Sequence, residues 1–171
     1  MTAVRFEYSP GRGDPAFTAD HSAFDVFVEY EAAGGPGFLG IEVKYVENMA
    51  QSAARFRPRY AEVARTMGCF NEDRLAELRR PPLEQLWRDH LLAGSLIAHP
   101  RAGFRESKFV VLCPEGNEAV RRALTRYRAC LTDEGTFTVW TLERFLVAAT
   151  RHGGGDWASM VEERYLGGPV D

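Results

Sequence analysis

Residues 24–46 read FDVFVEYEAAGGPGFLGIEVKYV. Two runs of β-branched and aromatic residues around a glycine-rich centre make this stretch a β-hairpin. The first strand is expected over residues 24–30, the turn over 34–37 and the return strand over 38–46. Side chains alternate along a strand, so Glu42 and Lys44 share one face while Ile41, Val43 and Tyr45 share the other. Folding at the glycines brings Asp25, which opens the first strand, within reach of Glu42. Two carboxylates and an ammonium among Phe, Val, Ile and Leu are costly unless they pair or hold a metal.

Working outward, residues 4–8 alternate as a short strand, and residues 10–15 are turn-rich, so the Arg12-Gly13-Asp14 triplet reads as turn chemistry. Residues 47–67 carry helical periodicity, with Pro58 as a break or kink. A second helix is expected over 72–78, stopped by Pro81 and Pro82, and a third over 83–98, apolar on one face. Next come a buried-type strand at 108–113, a helix at 117–131 and a strand at 136–140. A helix at 141–151 follows with Thr141 as its cap, then a last helix at 156–165. The order β-β-β-α-α-α-β-α-β-α-α predicts an α/β domain over residues 1–171, antiparallel at its start and parallel later.

Composition excludes several classes. The chain has 171 residues, 45% hydrophobic and 26% charged, with a net charge of −3, which is too apolar for disorder and too acidic for a basic field over the whole surface. Any nucleic-acid contact must be local. The basic residues are 21, of which only Lys44 and Lys108 are lysine. In so arginine-rich a chain, a lysine among apolar strand residues marks a position that wants a compact point charge. Glu106-Ser107-Lys108 is also E-x-K, but no Asp precedes it on a paired strand, and it reads as a solvated strand edge.

Other signals are weaker. The three cysteines lack zinc or disulfide spacing and read as core thiols of a reduced, cytoplasmic chain. No signal peptide or membrane-length apolar run is present. Gly35 to Gly40 matches G-x-G-x-x-G but is followed by a strand where a helix is needed. The histidines show no zinc spacing, and His21 reads as a loop residue. The three tryptophans read as core. Arg55, Arg57, Arg59 and Arg65 either track a phosphate backbone or form a solvated helix face. Arg121, Arg122, Arg126 and Arg128 read as a solvated face.

On its own, E-x-K is the polar face of a half-exposed strand; Asp25 at hairpin spacing turns the reading towards chemistry. Asp25 and Glu42 offer hard oxygens to Mg²⁺, which needs only one or two carboxylates and keeps several waters. Lys44 would orient a water and counter charge on a phosphate.

With Asp25, Glu42-Val43-Lys44 and the helix that follows, the chain resembles the PD-(D/E)XK nuclease superfamily, the restriction-endonuclease-like fold. The stretches at 24–30, 40–45, Arg57-Pro58-Arg59-Tyr60, 87–92 and 163–166 are similar to a bacterial group of restriction-endonuclease-like proteins, so the resemblance covers most of the chain. It implies a mixed β-sheet with an antiparallel hairpin core flanked by helices. It further implies a Mg²⁺-dependent endonuclease that hydrolyses the phosphodiester bonds of DNA, with Mn²⁺ able to substitute. Asp25, Glu42 and the Val43 backbone carbonyl would be the metal ligands and Lys44 the catalytic lysine. Gln51 and Tyr60 match the family's helix residues that assist the site or touch DNA, with Arg55, Arg57 and Arg59 beside them. The family core begins with a helix, and here only three residues precede Val4. The first core helix is therefore expected to be missing, or replaced by C-terminal helices, a homodimer partner or another chain. The alternative is a catalytically inactive nuclease-like module that binds nucleic acid or a protein.

Overall fold

The computed structural model describes residues 1–46, 49 and 55–167. One five-stranded mixed sheet, in the order β1-β2-β3-β4-β5, comprises β1 (Ala3–Tyr8), β2 (Phe24–Ala32), β3 (Gly35–Val43), β4 (Glu106–Cys113) and β5 (Phe137–Thr141). The first two pairings are antiparallel, and the last two are parallel. The α-helices are α1 (Pro58–Met67), α2 (Leu75–Leu78), α3 (Glu84–Ala98), α4 (Glu118–Arg128), α5 (Leu142–Arg151) and α6 (Gly155–Tyr165), with a 3₁₀ turn, Glu72–Arg74, leading into α2.

The hairpin is tighter than its glycines suggest. Ala32 pairs with Gly35, so the turn is Ala33-Gly34, and Gly35 takes φ 116°, a value that glycine tolerates. Pro36 lies inside β3, near its start, where the missing N–H costs nothing because β4 begins opposite Gly37.

Parallel connections are right-handed, and two successive steps in one direction put their helices on the same face. α1 and α3 lie between β3 and β4, and α4 lies between β4 and β5. Tyr60, Val63, Leu86, Trp87, Leu91, Val120, Leu124 and Tyr127 accordingly share one core with Phe27, Phe38, Phe109 and Val111. α5 and α6 cover the other face, where Leu142, Leu146 and Ala158 meet Ile41, Val110 and Leu112. Covered on both sides, β4 carries the apolar run Phe109 to Cys113. Two glycines permit close approach. A Cβ at Gly40 would overlap the Phe24 ring, and one at Gly94 would overlap Met67, where α1 crosses α3.

Several expectations are corrected here. Pro58 starts α1 as its first helical residue and does not kink a longer helix, because proline suits a position whose N–H has no partner. Arg55 and Arg57 therefore precede the helix; residues 47, 48 and 50–54 of the expected helix lie outside the described residues. Lys108 is exposed as expected, but β4 is a central strand, and its Nζ donates to the Gly135 carbonyl at 2.8 Å. Trp157 is 50% exposed on α6 and not core. The cysteines are free and buried. Thr141 caps α5 by accepting from the Arg144 amide, and Asp14 closes its turn by accepting from the Ala16 amide. No helix precedes β1 among the described residues.

Candidate active site at the end of the hairpin

The β2–β3 ladder ends with Val26 paired to Ile41, and Asp25 is the next residue towards the strand end. At this strand end Asp25 stands in for the ladder: its Oδ2 accepts from the Val43 amide at 2.7 Å. The carboxyl is thereby fixed against the residue between Glu42 and Lys44.

Alternation sends Glu42 and Lys44 to the α3 side of the sheet, and Ile41, Val43 and Tyr45 to the α5–α6 side. Lys44 lies one residue beyond β3, yet its amide still bonds to the Leu112 carbonyl at 2.8 Å, so the side chain keeps strand geometry. Its Nζ is 2.6 Å from Glu42 Oε1, with both side chains 5% exposed. Gln85 of α3 closes the group. Its Nε2 donates to Glu42 Oε1 at 2.6 Å, and its Oε1 accepts from Lys44 Nζ at 3.2 Å. Only one orientation of the amide satisfies both partners.

The α3 face above this pair is polar. Glu84 and Arg88, one turn apart, form a mostly buried ion pair at 3.1 Å. Asp89, one turn beyond Gln85, is 2% exposed. Burial pushes its carboxyl well above the usual carboxylate range, and the charge of Glu42 adds to this while Arg88 and Lys44 oppose it. Asp20 shows the contrary balance. Burial acts to raise its pKa, but hydrogen bonds outweigh burial and hold the carboxyl below its ordinary value: one from the Tyr60 hydroxyl at 2.6 Å and others from Ser22 and Thr18.

Among the described residues, Asp20, Asp25, Glu42, Glu84 and Asp89 outnumber Lys44 and Arg88 in this layer. No group of three or more His, Cys, Asp or Glu arranged to hold a metal occurs among them. The arrangement nevertheless fits Mg²⁺. Asp25 and Glu42 would supply hard oxygens, and Mg²⁺ keeps several waters and needs only one or two carboxylates from the protein.

Other sequence-predicted residues are placed differently. Tyr60 is 1% exposed, its hydroxyl given to Asp20 and its ring set edge-on against Trp87; it braces the loop before β2 and offers no surface to a duplex. Arg59 performs the same service, donating to the carbonyls of Phe17 and Ala16 and to Glu62. Arg55 is exposed, Arg57 is half-buried and His21 is exposed, while Gln51 lies outside the described residues. Sequence reasoning missed Gln85, Asp89 and the Glu84–Arg88 pair. The signal was a polar stripe at 84, 85, 88 and 89 on a helix that is otherwise strongly apolar.

Compared with known proteins, residues 1–167 match a family model described as the PD-(D/E)XK nuclease superfamily. No curated protein and no solved structure matches the chain.

Proposed function

Since the chain belongs to the PD-(D/E)XK nuclease superfamily, we propose that it is a divalent-metal-dependent endonuclease acting on DNA, with its site at the β2–β3 strand ends. The observation that carries the reading is the buried Glu42–Lys44–Gln85 group, with the Asp25 carboxyl held on the Val43 amide beside it. So closed a group of charges, beside a surplus of carboxylates, has no stabilising merit that an apolar cluster would not supply better.

Asp25, Glu42 and the Val43 carbonyl would hold the ion. When bound, Mg²⁺ would neutralise the phosphate and make the attacking water more acidic. Lys44 is held in place by Glu42 and Gln85, so its ammonium enters the reaction already oriented. It directs the water in line with the scissile phosphorus and counters the charge that grows on the non-bridging oxygens. The water gives up a proton to solvent as its oxygen forms the new bond to phosphorus, the bond to the leaving oxygen breaks, and the leaving oxygen takes a proton from solvent. Arg55 and Arg57, exposed and half-buried ahead of α1, would contact the phosphate backbone.

The test is a cleavage assay on plasmid DNA and on RNA, with Mg²⁺, with Mn²⁺ and with chelator. The expected result is cutting of DNA that needs the metal and stops with chelator. Absence of cutting under every metal condition would favour the binding module. The three free buried cysteines support a reduced, cytoplasmic setting, and no helix among the described residues is long and apolar enough to cross a membrane.

Val4 pairs with Val28 and Phe6 with Val26, and Val4 and Phe6 are 42% and 74% exposed. This apolar strip supports a second copy of the chain packing against β1. Light scattering should then give twice the monomer mass; a monomer at all concentrations would exclude the second copy.

A further inference from the structure

Asp89 stands beside the proposed site without a task in the mechanism. It is 2% exposed and lies one helical turn beyond Gln85 on α3, the residue whose amide bonds both Glu42 and Lys44. Its Oδ2 is buried and has no hydrogen-bond partner. Asp20, close to it and similarly buried, is surrounded by donors. The nearby cations are engaged elsewhere: the Lys44 ammonium with Glu42 and Gln85, and the Arg88 guanidinium with Glu84.

A buried carboxyl oxygen with no donor is among the costliest groups a core can keep. The cost is offset where a cation completes the site. Among the described residues, α3 brings a polar face over Glu42, and Asp89 is the acid on that face not joined to an arginine by an ion pair.

We infer that Asp89 is a third acidic residue of the site, a positioning residue whose carboxyl draws a divalent cation to the edge formed by Asp25 and Glu42. The inference rests on the metal-dependent reading above. It does not require Asp89 to touch the ion, since a charge in a water-poor layer acts at a distance.

The experiment is calorimetric titration of the whole chain with Mn²⁺, comparing wild type, Asp89→Asn and Asp89→Ser, each also melted with and without the metal. Asparagine keeps the shape and cannot ionise, and burial already disfavours the charged carboxyl in the metal-free chain, so the metal-free variant should melt close to the wild-type temperature. Its Mn²⁺ dissociation constant should rise about tenfold or more, as expected for losing one charge in a poorly solvated site, and its metal-induced rise in Tm should shrink in step. Wild-type affinity in both variants would overturn the role of Asp89 while leaving the metal site standing. A wild-type chain that binds no Mn²⁺ would overturn the metal-dependent reading and this one together. If neither variant folds, Asp89 is a structural requirement of the core and the inference fails.

Discussion

Lys44→Met is expected to lower metal-dependent DNA cleavage by about a hundredfold or more, the usual effect of deleting a group that stabilises transition-state charge. It is also expected to destabilise the fold. The ammonium sits 2.6 Å from Glu42 with both side chains 5% exposed, and removing one partner of a buried pair typically costs about 3–5 kcal/mol. Gln85 Oε1 loses its donor as well. Loss of cutting in the single variant would therefore mix chemistry with stability. The double variant Lys44→Met, Glu42→Gln separates them: it removes both charges, should regain much of the lost stability in a urea titration, and should remain inactive. Wild-type cleavage rates in Lys44→Met, measured on labelled duplex with Mg²⁺, would refute the assignment.

The second large effect is acid destabilisation centred on His90. Its ring lies in the core, with Nδ1 and Nε2 each 2.9 Å from a hydroxyl, that of Tyr127 and that of Thr136. Burial holds its pKa down at about 3, against the ordinary 6.5. Between these values the unfolded chain binds a proton that the folded chain refuses, so stability falls as pH falls. The loss begins below about pH 6.5, proceeds at up to about 1.4 kcal/mol per pH unit, and is complete near the folded value. Above that window His90 contributes no pH dependence. In urea titrations at pH 7, 6, 5 and 4, His90→Gln should begin less stable than wild type and lose stability less steeply. Equal slopes in the two proteins would assign the acid lability to carboxylates instead.

Much of the architecture is written in local pattern. The alternation of residues 24–46 gave the hairpin and set Glu42 and Lys44 on one face, because strand periodicity is a short-range property; the Asp25 carboxyl meets the Val43 amide between them. Helix limits from α3 to α6 followed capping and periodicity closely. The two lysines of an arginine-rich chain separated as their neighbours implied, Lys44 buried at the end of β3 and Lys108 exposed, although β4 is central and not an edge.

Tertiary packing decided the rest. Gln85 and Asp89 belong to the site because right-handed crossovers lay α3 on the face where Glu42 and Lys44 emerge, and nothing within residues 84–89 specifies which strand that face will meet. Tyr60 and Arg59 have the composition of a nucleic-acid surface, yet Asp20 and the carbonyls of the loop before β2 engage them, since a buried loop must satisfy its polar groups. A residue's face is fixed by its neighbours in sequence; its partner is fixed by chain segments tens of residues away, and the chemistry of this site depends on both.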